Sequence, residues 1–108
     1  MSTKERFKNA KRTVKAVEVF GETFHIRALT LRELNALDEH AEGTEGTERS
    51  YRYAVGMFAA AVCEADGKAV YGGPTDPDIS DVPGDYFREL NKAAFALNGM
   101  EGDAEGND

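Results

Sequence analysis

The fold is decided by residues 14–33, VKAVEVFGETFHIRALTLRE. Two runs of alternating apolar and polar residues flank Gly21-Glu22, which is the pattern of a β-hairpin with a two-residue turn. Glycine at the first central position suits a type II′ turn, because that position needs a positive φ angle. We therefore predict a hairpin over residues 14–29.

The predicted turn fixes the register of the two strands. It places five pairs opposite each other: Phe20–Thr23, Val19–Phe24, Glu18–His25, Val17–Ile26 and Ala16–Arg27. One face of the hairpin is then apolar and the other is polar. The apolar face holds Val17, Val19, Phe24 and Ile26. Since an isolated hairpin is only marginally stable, we expect helices to cover this face.

The chain after the hairpin predicts three helices. Thr30 and Glu33 have the spacing of a capping box at the start of the first helix. The second helix follows from apolar residues at i, i+3, i+4 and i+7, and the third ends at an Asn-Gly signal. The predicted bounds are 31–41, 48–65 and 84–98. The expected fold is α+β, with the hairpin packed on these helices.

Charge divides the 108-residue chain, whose net charge is −7. Residues 1–16 hold six basic residues and one acidic residue, for a net charge of +5, and the remainder has −12. We predict a basic flexible arm over residues 1–13, a single domain over residues 14–98 and an acidic disordered tail over residues 99–108. The acidic body makes nucleic-acid binding unlikely, although a regulator that uses the arm to contact nucleic acid stays open.

The cysteine content and the absence of long apolar runs predict a cytoplasmic protein. A single cysteine cannot form an intramolecular disulfide, which fits a reducing compartment. No apolar run approaches the ~20 residues of a membrane span. Residues 1–16 are basic but lack the apolar region of a secretory signal.

His25 and Cys63 are the candidate catalytic side chains. His25 beside Glu18 is either a general base with an orienting carboxylate or half of a cross-strand ion pair. Cys63 is either a nucleophile, which needs a nearby base, or a buried inert thiol. The structural interpretation is favoured for both. We predict no catalytic residue, no cofactor and no enzymatic activity.

Four aspartates cluster at a density that suggests calcium: Asp76, Asp78, Asp81 and Asp85. An EF-hand loop needs glycine at its sixth position and glutamate at its twelfth. Counted from Asp76, these positions hold Asp81 and Phe87. The spacing therefore predicts a solvated acidic loop and no metal site.

The second helix contains a long uncharged stretch. No charged residue stands between Tyr53 and Cys63, and a helix that is apolar all round is normally buried on both sides. Phe95 lies outside the apolar arc of the last helix. We predict a partner-binding surface made of Tyr53, Gly56, Ala60, Cys63 and Phe95. The alternatives are that these residues are internal core or that they mediate self-association.

The order of these features resembles the tail assembly chaperones of long-tailed bacteriophages and prophages. The segments are VEVFGETFHIRALT, LTLRELNAL, CEADGKAVY, TDPDISDVP and FALNGM, and together they extend over about residues 17–100. The matching positions are Arg27, Leu29, Thr30, Glu33, Asp66, Gly67, Lys68, Tyr71, Leu97, Asn98 and Gly99. The segment Gly72-Gly73-Pro74 departs from the pattern of that family by lengthening the step after Tyr71.

The resemblance implies a function in virus assembly. Such chaperones bind the long, helical tape-measure protein and keep it soluble before the tail tube polymerises around it. They act in the host cytoplasm and are absent from the mature virion. The resemblance thus implies a helical protein partner, with a possible homo-oligomer and no membrane. The alternative is a structural tail or connector subunit of the virion.

Overall fold

A computed structural model describes residues 1–100, so most of the predicted acidic tail lies outside the described residues. Its elements are, in chain order, α1 Thr3–Asn9, β1 Val14–Val19, β2 Glu22–Arg27, α2 Leu31–Ala41, α3 Gly46–Ala61, β3 Val62–Cys63, a 3₁₀ helix Pro77–Asp81 and α4 Gly84–Leu97. The strands form an antiparallel sheet in the order β1-β2-β3. The predicted α+β fold, with a hairpin packed on three main helices, is confirmed.

The hairpin has a different turn from the predicted one. Phe20 and Gly21 both have positive φ angles, 51° and 83°, which defines a type I′ turn. Val17 consequently pairs with Phe24 instead of Ile26, so the predicted register was wrong by two positions. Because an even shift keeps each side chain on its face, the separation of apolar and polar faces survives.

The aromatic ring of Phe20 explains the choice of turn. A left-handed conformation costs a residue with a side chain about 1–2 kcal/mol. In return, the Phe20 ring contacts the Tyr86 ring edge-on with the centroids 5.0 Å apart. Such aromatic pairs contribute about 0.5–1.5 kcal/mol beyond the area that they bury, which largely offsets the cost.

The second predicted helix ends earlier than expected. Helix α3 stops at Ala61, and the next two residues form β3 against β2, with Val62 opposite Ile26 and Cys63 opposite His25. A β-branched residue such as Val62 suits an extended strand. The pairing also gives the backbone of β2 hydrogen-bond partners along its second edge.

Helix α3 lies at the centre of the molecule, between α2 and α4. The largest fully buried side chains are Phe58, Ile26, Leu37 and Met57. Gly56 lies where α2 crosses: a Cβ atom there would be 3.0 Å from Leu37 Cδ2 and 3.9 Å from Leu37 Cα. Close packing of α2 therefore accounts for a glycine that costs a helix interior about 1 kcal/mol.

The side chain of Arg27 joins four parts of the fold. Its Nε donates to the carbonyl of Ala60 at 2.8 Å, and its Nη1 donates to the carbonyl of Gly67 at 2.9 Å. Its Nη2 lies 3.6 Å from Glu33, and only 13% of the side chain is exposed. Glu33 in turn completes the predicted capping box by accepting from the Thr30 backbone at 2.9 Å. One guanidinium thus connects β2, α2, the end of α3 and the turn after β3.

Helix α1 was not expected from the sequence. Ser2 and Glu5 form a capping box, and the backbone hydrogen bond from Ser2 to Glu5 lowers the pKa of that carboxyl. No residue of α1 is buried, and the Phe7 side chain is 78% exposed. Flexibility of the arm over residues 1–13 stays a prediction.

The acidic segment contains the 3₁₀ helix Pro77–Asp81, and the side chain of Asp76 caps its start. The Asp76 carboxylate accepts hydrogen bonds from the backbone of Gly72 and of Asp78, both at 3.0 Å. These bonds lower the pKa of Asp76, the one from Gly72 most. Among residues 1–100, no three His, Cys, Asp or Glu side chains are arranged to hold a metal ion.

No helix within residues 1–100 has both the length and the apolar character needed to cross a membrane.

Replacing Arg27 with methionine should destabilise the fold. The apolar stem is retained, but the partly buried carbonyls of Ala60 and Gly67 lose their donor. An unsatisfied group costs up to about 1–3 kcal/mol when it is kept from water. We expect the free energy of unfolding in urea to fall by about 2–4 kcal/mol. The control is the same change at the exposed Arg32, which should alter it by no more than about 0.5 kcal/mol. Equal losses at both sites would contradict the assigned role.

Candidate protein-binding groove

A groove of about 620 Å³ lies between β2, β3, the 3₁₀ helix and the start of α4. Its apolar lining includes Phe24, Phe58, Val62, Tyr71, Tyr86 and Leu90. The helices bury Val19 and Ile26 from the apolar face of the hairpin, but Phe24 stays half-buried in the groove. The cover over the hairpin is therefore incomplete at this point.

Tyr86 forms one wall of the groove. Its ring contacts the ring of Phe24 edge-on, with the centroids 5.9 Å apart, in addition to its contact with Phe20. Its hydroxyl donates to Glu22 at 3.2 Å. Burial and this hydrogen bond raise the pKa of Tyr86. These contacts connect the start of α4 to β2 and to the hairpin turn.

Phe58 forms the floor from the middle of α3. Its ring lies 4.9 Å from the ring of Phe87 and 5.6 Å from the ring of Tyr71, centroid to centroid. The side chain is 1% exposed. Burial raises the pKa of Tyr71. The floor is thus a packed aromatic cluster that α3, α4 and the segment after β3 build together.

The rim of the groove is acidic. Its ionisable residues include Glu22, Glu64, Asp78 and Asp81, all of which are exposed. Within residues 1–100, the lining contains no lysine or arginine. Like charges around a concave apolar surface produce a local negative potential, which favours a ligand with positive charge.

The structure does not bring the five predicted partner-binding residues onto one face. Cys63 lines the groove from β3, whereas Gly56 and Ala60 line a smaller cavity of about 270 Å³ against α2. The rings of Tyr53 and Phe95 stack on each other, with the centroids 6.1 Å apart and the planes at 17°. Gly56, Cys63 and Phe95 are buried, as the internal-core alternative predicted. Binding of a partner by these residues stays a prediction.

Phe95 belongs to the core although it lies outside the apolar arc of the last helix. Its side chain is 6% exposed, because α4 packs on α3 and on the sheet and so buries a wider arc than one apolar stripe. The neighbouring Asn91 is buried on the same flank and donates to the Ala54 carbonyl at 2.9 Å. A polar residue can therefore belong to a helix interface when a backbone acceptor faces it.

The structure separates the pair proposed for acid–base chemistry. Glu18 pairs with Thr23, and His25 pairs with Ala16 and with Cys63 instead. Burial raises the pKa of the Cys63 thiol, which is 4% exposed. A buried thiol with a raised pKa is a poor nucleophile. The raised pKa therefore disfavours the interpretation of Cys63 as a nucleophile.

Sequence reasoning missed the groove because its parts lie far apart in the chain. The sequence predicted a solvated acidic loop for the aspartate segment, and it placed Phe24 on the apolar face of the hairpin, far in sequence from Tyr86. The one available signal was the density of aspartates beside Val82 and Pro83, which also line the groove.

Replacing Phe95 with serine should destabilise the protein strongly. Truncating a buried phenylalanine costs about 3–5 kcal/mol, and serine adds an unpaired hydroxyl. Thermal unfolding followed by circular dichroism should show a large fall in the melting temperature. The control is the same change at Tyr51, which is 65% exposed on the neighbouring helix and should shift the free energy of unfolding by no more than about 0.5 kcal/mol. A Phe95 variant as stable as the control would show that this side chain lies at the surface and not in the core.

Cys63 should react slowly with a thiol reagent in the folded protein. The control is a chain with Cys63→Ala and Val70→Cys, because Val70 is 43% exposed in the same groove. Ellman's reagent near pH 8 should label Cys63 at least about tenfold more slowly than the cysteine of this control. Unfolding in urea should abolish the difference. Equal rates in the folded state would mean that the floor of the groove opens readily.

Comparison with known proteins gives one informative likeness. No protein-family model matches the chain, and no curated protein matches its sequence. A solved structure of the bacteriophage HK97 tail assembly chaperone superposes with a TM-score of 0.61 at 19% sequence identity. The match covers 88% of this chain and 96% of that one. This chain therefore has the fold of the HK97 tail assembly chaperone, as its resemblance to that class of proteins led us to expect.

Proposed function

We propose that this protein is a phage tail assembly chaperone that binds the helical tape-measure protein and keeps it soluble during tail assembly. The observation that carries the proposal is the likeness to the HK97 tail assembly chaperone over nearly the full length of both chains. The order of sequence segments described above supports the same function independently, because it does not depend on the superposition.

The chemistry of the surface agrees with a chaperone for helical clients. A long helical protein exposes apolar stripes until its own partners arrive, and those stripes aggregate. The groove offers an aromatic floor for such a stripe, as in other helix-in-groove complexes. The net charge of −7 keeps a complex with an apolar client soluble.

The proposal includes where the protein acts. We infer binding in the host cytoplasm and release when the tail tube forms, so that the mature virion lacks the protein. A groove with a small apolar floor and an exposed charged rim suits reversible binding, because exposed ion pairs add little affinity.

Co-expression with the tape-measure protein encoded by the same phage or prophage tests the proposal. We expect the tape-measure protein to move from the insoluble to the soluble fraction and to co-purify with this chain. The control is an unrelated acidic protein of similar size at the same expression level. A tape-measure protein that is equally insoluble with and without this chain would contradict the proposal.

Purified virions distinguish the alternative of a structural tail or connector subunit. Mass spectrometry should detect the tape-measure protein and not this chain. A stoichiometric amount of this chain in the particles would establish the structural alternative instead.

A further inference from the structure

We propose that the groove binds a client helix whose apolar stripe is flanked by lysine or arginine side chains. This inference rests on the proposed function and specifies the chemistry of the client segment. It is carried by an apolar floor that lies beside four carboxylates, Glu22, Glu64, Asp78 and Asp81, in a lining that also holds His25 but no lysine or arginine. Such a rim is unfavourable for a helix flanked by acidic residues.

The dimensions of the groove favour side chains from one face of a helix. A helix with its side chains is about 10–12 Å wide, so a groove of about 620 Å³ holds several apolar side chains and not the whole cylinder. Residues at i, i+3, i+4 and i+7 project from one face of a helix and can enter such a groove together. The client helix should therefore lie along the groove with its opposite face in solvent.

Apolar surface remains available along this path. Val70 is 43% exposed at the groove, and Phe20 is 59% exposed beside its Tyr86 wall. Phe24, which also lines the groove, is half-buried. A client stripe would remove these side chains from water, which supplies most of the affinity.

The acidic rim favours client helices flanked by basic residues over those flanked by acidic residues. Lysine and arginine beside the stripe can lay their aliphatic stems on the apolar floor while their charges reach Glu22, Glu64, Asp78 and Asp81. The same rim repels a stripe flanked by glutamate. Since the rim is exposed, this preference should weaken as salt is added.

The chain's own basic arm is the competing occupant, and its geometry is less suitable. Helix α1 has seven residues and offers one large apolar side chain, Phe7, which cannot form a stripe over two helical turns. Arg12 also holds the arm beside α2, because its guanidinium lies 3.0 Å from Glu33. We therefore assign the groove to a client.

Three synthetic peptides of about 20 residues can test the assignment with the full-length protein. All have leucine at i, i+3, i+4 and i+7 over two repeats, and the flanking positions are lysine, glutamine or glutamate. Calorimetry at low salt should give the tightest binding for the lysine peptide, at least about tenfold tighter than for the glutamate peptide. The difference should shrink at 0.5 M NaCl.

Substitutions at the acidic rim and at the exposed apolar residue Val70 test whether the peptides bind in the groove. Asp78→Asn with Asp81→Asn should weaken the lysine peptide about three- to tenfold and leave the glutamine peptide unchanged. The control, Glu39→Gln with Glu42→Gln, removes the same charge from exposed positions at the end of α2 and at its C-cap, and should change neither. Val70→Ser should weaken the lysine and glutamine peptides alike, whereas Leu31→Ser, at a position 80% exposed outside the groove, should not.

Two results would overturn the inference. The first is a failure of charge to matter: either the lysine and glutamate peptides bind equally tightly, or the two aspartate changes leave lysine-peptide binding unaltered in a variant whose melting temperature is unchanged. The second is that a peptide of residues 1–12 binds the groove more tightly than the lysine peptide does, which would identify the arm of a second copy as the occupant.

The co-expression assay separates this inference from the proposed function. If the wild-type chain and the rim and floor variants solubilise the tape-measure protein equally well, the function stands and the groove is not its site. If the wild-type chain fails there while the peptide series behaves as expected, the groove binds basic helices and the client is a different protein.

Discussion

The rest of the structure depends on the Arg27 guanidinium. It satisfies the carbonyls of Ala60 and Gly67 while its charge faces Glu33, the residue that also caps α2. Arginine suits this position because its planar group presents several donors in fixed directions. A backbone carbonyl at the end of a helix needs such a partner, since no amide of the helix reaches it. The sheet, two helices and a turn are thereby held in one arrangement.

The position of the groove follows from that arrangement. Since α3 ends at Ala61, the next residues are free to extend and pair with β2 as β3. This pairing makes Val62 and Cys63 part of the groove lining. It also brings the following turn next to Arg27. The chain then returns through the 3₁₀ helix, which closes the opposite side and supplies two of the rim acids. A site for a partner thus arises from the contacts that also complete the core.

Features that depend on neighbouring residues could be predicted from the sequence, whereas those that depend on distant contacts could not. The capping box at Thr30 and Glu33 and the stop after α4 were predicted, because each depends on residues within a few positions. The hairpin register was not, because the choice between two turns depended on a ring contact with Tyr86, 66 positions after Phe20. The burial of Phe95 was also missed, since a helix wheel cannot show that a second element covers its flank. The groove was missed for the same reason.

By itself, the sequence determined what local chemistry controls: the α+β order of elements, the separation of apolar and polar faces, the helix caps, and the charge contrast between a basic N-terminal segment and an acidic remainder. Alternation and helical periodicity extend over a few residues, so they can be recognised without knowledge of the tertiary structure. The tertiary structure alone decided which apolar side chains stay accessible and which acids surround them. That outcome depends on contacts between residues far apart in the chain, and no local pattern encodes it.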